Sequence, residues 1–226
     1  MKPKSFGLKT VGGMTLIFTF GVIAFASAQP NHYAKSGFYL GLARPYNSIA
    51  GDFTGKNVLH GGGEVIAIPK IVSSFGYGGL LGYRFVQGAL EASYLRSTHS
   101  AAFLDAASRA EYHIVNLDAR YHLFASTPVQ PFVLIGATLD WLIVKNGSAT
   151  ETEVGDGTFA GGGFNGGIGI AFHLTRRLSI SGEAVYRYLG YSGENGVKGV
   201  SGQWKEISDG LDGSGLGVTA AMRFTF

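Results

Sequence analysis

The chain has 226 residues, of which 36 are glycine and none is cysteine. So much glycine disfavours long helices, and the missing thiols exclude a disulfide scaffold and lipid attachment through cysteine. Of 18 basic and 15 acidic residues, Lys2, Lys4 and Lys9 fall within the first 28, so the rest carries 15 of each sign and gives no electrostatic case for a nucleic-acid partner.

The opening MKPKSFGLKTVGGMTLIFTFGVIAFASA joins those three lysines to an apolar run from about Val11 to Phe25 and ends on Ala26-Ser27-Ala28. This is the pattern of a secretory signal peptide over residues 1–28, cut between Ala28 and Gln29. Residues 29–226 then form one domain. They contain no second apolar stretch of about 20 residues, so no helix is expected to span a membrane.

From there the text alternates with period two in eight runs, near 36–44, 76–86, 89–97, 110–124, 131–145, 161–174, 178–190 and 211–226. The first, SGFYLGLAR, sets Phe38, Leu40 and Leu42 on one face. The second gives Tyr77, Leu81, Tyr83 and Phe85, and the third Leu90, Ala92 and Tyr94. The fourth gives Val115, Leu117, Ala119, Tyr121 and Leu123. The fifth runs Val133, Ile135, Ala137, Leu139, Trp141 and Ile143. The sixth gives Phe164, Ile168, Ile170, Phe172 and Leu174, and the seventh Leu178, Ile180, Ala184, Tyr186 and Tyr188. The last, GLGVTAAMRFTF, alternates to the final residue, with Leu216, Val218, Ala220, Met222, Phe224 and Phe226 on one side.

Connections alternate between short and long. Gln87-Gly88, Ala125 to Gln130 and Thr175-Arg176-Arg177 are short; about 45–75, 98–109, 146–160 and 191–210 are long. Short turns at one end and long loops at the other predict an all-β fold, an eight-stranded antiparallel up-and-down transmembrane β-barrel. A two-residue turn at Gln87-Gly88 would pair Phe85 with Leu90 and Arg84 with Glu91.

Alternation alone does not say which face is inside. An eight-stranded barrel has an interior just wide enough for its own side chains, and the apolar set is too bulky to fit there. The opposite face is small or ionised. It carries Gly41, Gly78, Gly82, Ser93, Gly167, Gly169, Ser179, Ser181, Gly215 and Gly217, with Arg84, Glu91, Asp118, Arg120, Asp140, Glu183, Arg187 and Arg223. Four positive and four negative groups allow a lumenal charge network in which each has a partner. Aromatic residues gather near both strand ends, as two interfacial girdles would require.

The signal segment, GFYLGLA opening the first strand, GGLLGYRF before a tight turn, and a last strand ending on Phe226 together resemble the small outer-membrane β-barrel family, the OmpA-like and OmpX-like barrels. The likeness runs from about Ser36 to Phe226. It implies an outer-membrane location in a Gram-negative-type cell, contact with outer-membrane lipid and lipopolysaccharide, and a terminal Phe226 read by the barrel-insertion machinery. No peptidoglycan-binding domain follows the barrel in the sequence, so no anchoring role to the cell wall is implied.

Motifs for chemistry are weak. Gly161-x-Gly163-x-x-Gly166 matches a dinucleotide fingerprint in form, but a strand pattern follows where the fingerprint needs a helix. The six histidines lack metal spacing, and neither a metal nor a cofactor is expected. His99-Ser100 raises a lipid-active enzyme, yet neighbours on a strand face opposite ways. Glu151, Glu153 and Asp156 offer oxygens without the full set of a calcium loop. EVIAIPKI (64–71) reads as a strand extension or an apolar surface patch, with Pro69 opposing a central strand. The expected function is an envelope scaffold or surface-interaction protein that meets an extracellular ligand through its long loops. No catalytic residue is assigned. A narrow solute or ion pore is the alternative, and a lipid-active enzyme comes third.

Overall fold

A computed structural model of the chain describes residues 33–55, 57–59, 65–103, 106–145, 157–192, 197–198, 204–205 and 211–226. The signal predicted over 1–28 and the acids Glu151, Glu153 and Asp156 lie outside the described residues. Eight long strands carry the architecture: β1 (Gly37–Asn47), β2 (Ser74–Arg84), β3 (Gly88–Phe103), β4 (Ala106–His122), β5 (Val129–Lys145), β6 (Gly157–His173), β7 (Leu178–Ser192) and β8 (Gly215–Thr225). Among the described residues there is no helix.

Each strand pairs antiparallel with the next, and β8 returns to β1 with Thr225 opposite Tyr39. Closure removes the unpaired edges an open sheet would present. The register also fixes the slant. Starting at Leu42 and stepping across the ladder through Gly79, Tyr94, Val115, Leu139, Gly162, Gly190 and Asp212, the path meets β1's own line at Asp52, ten residues beyond its start. A stagger of this kind makes strands tilt by about 35–45° in a closed barrel.

The apolar face points outward. Leu42, Leu81, Ile135 and Ile168 are each more than half exposed, whereas Glu91, Arg120 and Asp140 are buried. Phe38, Tyr83, Tyr121, Phe172, Phe224 and Phe226 ring the short-turn end; Tyr46, Phe75, Tyr77, Tyr94, Trp141, Phe164 and Tyr188 ring the other. Ring contacts tie neighbours within each girdle, such as Phe38–Tyr83 at 4.9 Å and Tyr46–Phe75 at 4.8 Å. Arg44 also faces outward, and its guanidinium lies 5.5 Å from the centre of the Phe75 ring, a position that lifts the charge toward the upper interface.

Two expectations need correction, and a third, open between two readings, is decided. Between β2 and β3 the chain turns over Phe85-Val86-Gln87, so Arg84 pairs with Ala89 and Glu91 with Gly82. The expected Arg84–Glu91 and Phe85–Leu90 pairs are thus displaced by two residues. The displacement is even, so it exchanges partners without exchanging faces. Second, 98–109 is not a long loop: β3 and β4 continue upward as a paired ribbon until Phe103 meets Ala106. Third, Ile68 and Ile71 are buried, and Lys70–Ile71 pairs with Ala102 and Ala101 of β3. This end of the apolar stretch therefore extends the sheet, as one of its two expected readings had it, with Ile68 and Ile71 inside.

The first connection crosses the upper mouth. Its early part follows the β8 side of the wall, with Ala50 N–H donating to Ser214 and Asp52 N–H to Asp212. It then folds back so that Ile71 N–H reaches Phe53 and Val72 N–H reaches Ser100 of β3. Gly51 makes the bend at φ 67°, where a Cβ would lie 2.4 Å from the Asp212 carbonyl oxygen. At the opposite mouth, Tyr33 and Lys35 donate to the carbonyls of Ala125 and Arg176, so the segment before β1 runs across the short turns.

Candidate functional site

The lumen is stacked in tiers, because inward positions recur every second residue on eight slanted strands. In the lower tier two carboxylates and two guanidiniums meet. Arg120 contacts Glu91 and Glu183, each at 2.6 Å. Arg223 lies 2.7 Å from Glu91 and 3.7 Å from Glu183, and it donates a further bond to Ser181. Tyr39 O–H donates to Glu91 at 3.0 Å. The cluster is neutral in sum and shut away from solvent, so each charge meets its opposite directly instead of water. Arg120 also stands 5.1 Å from the centre of the Phe132 ring.

The other four predicted charges are also buried but bind neutral groups. Arg84 donates to the amide oxygen of Gln130. Asp118 accepts from Asn165 at 2.9 Å. Asp140 accepts from Thr138 at 2.7 Å and from Tyr112. Arg187 donates to Asn47 at 3.2 Å. The expectation that each charge would meet an opposite charge is therefore replaced: amides and hydroxyls satisfy half of them. Between these tiers runs a ladder of Asn165, Asn116 and Ser93. Sequence reasoning placed Ser93 on this face but passed over Asn116, Asn165 and the inward tyrosines. Their alternation with outward apolar residues was the available signal.

Glycine makes room for this chemistry. Gly82 lies opposite Glu91, and a Cβ there would sit 2.4 Å from the Tyr39 hydroxyl oxygen. Gly169 lies beneath the Phe132 ring, with its missing Cβ 2.3 Å from the ring edge. Between the tiers lies a cavity of about 10 Å³ lined by residues such as Glu91, Asn116, Asp118 and Arg187. That is room for about one water molecule.

Above the polar tiers the lumen turns apolar. Ile49, Phe53, Ile68 and Ile71 from the first connection pack with Leu142, Val144, Phe159, Leu189, Tyr191 and Leu211. Phe53 is wholly buried and meets Phe159 and Tyr191 edge-on, each at 5.3 Å. At the boundary, His99 faces inward and Ser100 outward, so they do not pair. Ser97, two residues away on the same face, does: its hydroxyl lies 2.7 Å from His99 Nε2. His99 Nδ1 lies 2.8 Å from the Val72 carbonyl oxygen and must donate to it, which leaves Nε2 to accept from Ser97. Both are almost fully buried. Gly161, Gly163 and Gly166 of the formal nucleotide fingerprint all lie within β6, without the helix that such a site requires.

Phe226 is exposed on the outer wall, stacks edge-on to Phe224 at 5.5 Å, and donates its N–H to Phe38 at 3.0 Å. The terminal residue thus lies on the seam between β8 and β1 and in the lower girdle.

Comparison with known proteins agrees with this architecture. No curated protein matches the chain. Among solved structures, the outer membrane protein OprG of Pseudomonas aeruginosa is similar with a TM-score of 0.60 at 12% identity, over 87% of this chain and 98% of that one. A major outer membrane protein from Thermus thermophilus has a TM-score of 0.51 at 10% identity, over 84% and 100%. Neisserial surface protein A gives 0.50 at 16% identity, over 84% and 98%. These likenesses are of fold. The family model described as outer membrane protein beta-barrel domain matches residues 17–224, and with it the chain belongs to that family of outer-membrane barrels.

Proposed function

We propose that this protein is a closed scaffold in the outer membrane that presents its long-connection end to the outside, for envelope support or for contact with an extracellular ligand. The observation that carries this reading is the double occlusion of the lumen. Ion pairs and amides fill the lower and middle barrel, and the apolar layer around Phe53 seals the top. An eight-stranded barrel has little interior beyond its own side chains, and here the first connection occupies what remains at the mouth. The connections between β5 and β6 and between β7 and β8 are then the parts free to differ in what they meet, as loops on a rigid support commonly do.

Planar-bilayer recording of the purified protein tests this. The scaffold reading expects no steady current from the intact barrel. It also expects that shortening residues 146–156 and 193–210 leaves a folded barrel with its surface interaction lost. A stable ion-selective current that changes with Glu183→Ala or Arg187→Ala would instead establish the pore.

A further inference from the structure

Strands β2, β4 and β6 run down to the short connections, and their last residues are Arg84, His122 and His173. All three face the lumen and are more than nine-tenths buried. The short connections pin two of them by the backbone: His122 N–H donates to the Gln87 carbonyl at 2.6 Å, and His173 N–H to that of Pro128 at 2.7 Å. The His122 ring lies 5.2 Å from the Phe132 ring. The His173 ring lies 6.3 Å from the ring of Tyr33, on the segment that crosses the short turns, and the next residue of that segment, Ala34, is buried.

Polar atoms of this group are held in place but not satisfied. Among the described residues, Arg84 Nε, His122 Nδ1 and His173 Nε2 are buried and have no hydrogen-bond partner, and Ser36 Oγ at the start of β1 is a fourth such atom. Arg84 bonds the neutral amide of Gln130 through a terminal nitrogen. It is also the foremost charge acting on both imidazoles, and His173 acts in turn on His122, so the three share one neighbourhood. Glu91 and Glu183, in the tier above, are engaged by Arg120 and Arg223. The connections at 85–87, 123–128 and 174–177 contain no acid. This end of the lumen thus holds a buried guanidinium and two imidazoles without a carboxylate of their own. A buried donor left unpaired keeps its full desolvation penalty, and a buried charge without a counter-charge keeps a larger one. An acceptor from outside the chain that is itself negative would answer both.

Donor geometry decides which anion. Carboxylates and phosphates are gripped best by the paired N–H groups of a guanidinium fork. Here Gln130 already takes one terminal nitrogen of Arg84, and the unpartnered nitrogens are single ones carried by three different strands. Separate donors of this kind suit a spherical ion, and the interior of an eight-stranded barrel leaves no width for a large one. Each imidazole can carry its proton on the unpartnered nitrogen, because the tautomer follows the acceptor. We propose that the lower end of the lumen is a binding site for a monatomic anion of the chloride class, held by Arg84, His122 and His173. The site lies at the mouth opposite the long connections and is independent of what those connections meet.

Imidazole nitrogen NMR of the full barrel in micelles tests it, with sodium gluconate exchanged stepwise for sodium chloride at constant pH and ionic strength. The ring signals of His122 and His173, assigned by His122→Gln and His173→Gln, are expected to move together along one saturating curve. The signal of His113, on the outer wall, should stay still. Arg84→Gln is expected to weaken chloride binding roughly tenfold, as loss of a charged donor should. His173→Gln, which leaves the Arg84–Gln130 bond intact, should weaken it severalfold as read at His122. Arg176→Gln/Arg177→Gln removes nearby surface charge and should leave the affinity unchanged. Each preparation is checked for folding by its heat-dependent gel mobility. No saturable movement in wild type would overturn the proposal, as would equal movement of His113. Unchanged affinity in folded Arg84→Gln or in His173→Gln would overturn it too, and so would an equal loss in the Arg176/Arg177 variant. Inorganic phosphate that moves the two rings at lower concentration than chloride does would overturn the monatomic class.

Discussion

At the scale of single residues, Glu91 concentrates the energetics of the lumen. Arg120, Arg223 and Tyr39 all donate to it. Replacing it by glutamine leaves two guanidiniums with Glu183 as their one remaining carboxylate. Breaking a buried pair in this way costs about 3–5 kcal/mol, measurable as a shift in urea unfolding of the lipid-reconstituted protein. A double-mutant cycle should find strong coupling between Glu91 and Arg120 and none between Arg84 and Glu91, which separates the observed register from the one two residues away. His99 offers a second handle. It stands above Tyr94 on β3, beyond the membrane-spanning band. Burial holds its imidazole below the ordinary value, against the opposing bond to Val72. The unfolded chain, with a value of about 6.5, therefore takes up the proton first on acidification. The stability His99 contributes is complete above that pH and is lost as pH falls toward its lowered folded value. His99→Gln should flatten this dependence in a pH series of thermal unfolding.

At the scale of elements, the first connection behaves as core. Phe53→Ala opens a cavity beneath the strap and should cost about 3–5 kcal/mol. Hydrogen exchange at residues 49–55 should rise before exchange in β4 or β5 does. A Phe53→Ala protein whose strap exchanges as slowly as wild type would show that the ring packing is dispensable. This element also marks how far the sequence could be read. Within the apolar band the outward side of each strand must be hydrophobic, so period two survives and all eight strands were legible. Above the band both sides lose that constraint. Thr98 and Ser100 face outward while Ala101 and Ala110 face inward, and the ribbon to Phe103 and Ala106 looked like a loop. Ile49, Phe53, Ile68 and Ile71 converge from scattered positions with no period at all. The eight lumenal charges were legible because ionised residues interrupt an otherwise apolar or small pattern. Their partners were not, since Gln130, Asn165 and Asn47 become partners only through three-dimensional register.

At the scale of the whole molecule, Phe226 ties the lower girdle to the seam between β8 and β1. Phe226→Asp places a charge in the lower girdle and weakens the contact with Phe224, so it is expected to slow insertion and lower barrel yield, read as the heat-modifiable fraction recovered after a pulse of synthesis. Normal yield would show that Phe226 is incidental to assembly. The seam on which it lies has a further consequence. Tyr39 and Thr225 are neighbours in space yet sit near opposite ends of the described chain. Most ladders in this barrel can zip between strands adjacent in sequence, but the β1–β8 ladder must wait for the whole polypeptide. Until then β1 and β8 each expose a bare row of amides, the template on which a second chain could add. Bringing such distant ends together carries an entropic delay that local hairpins escape. Time spent as an open ribbon, more than the depth of the final energy minimum, is therefore where this chain is vulnerable to proteases and to its own copies.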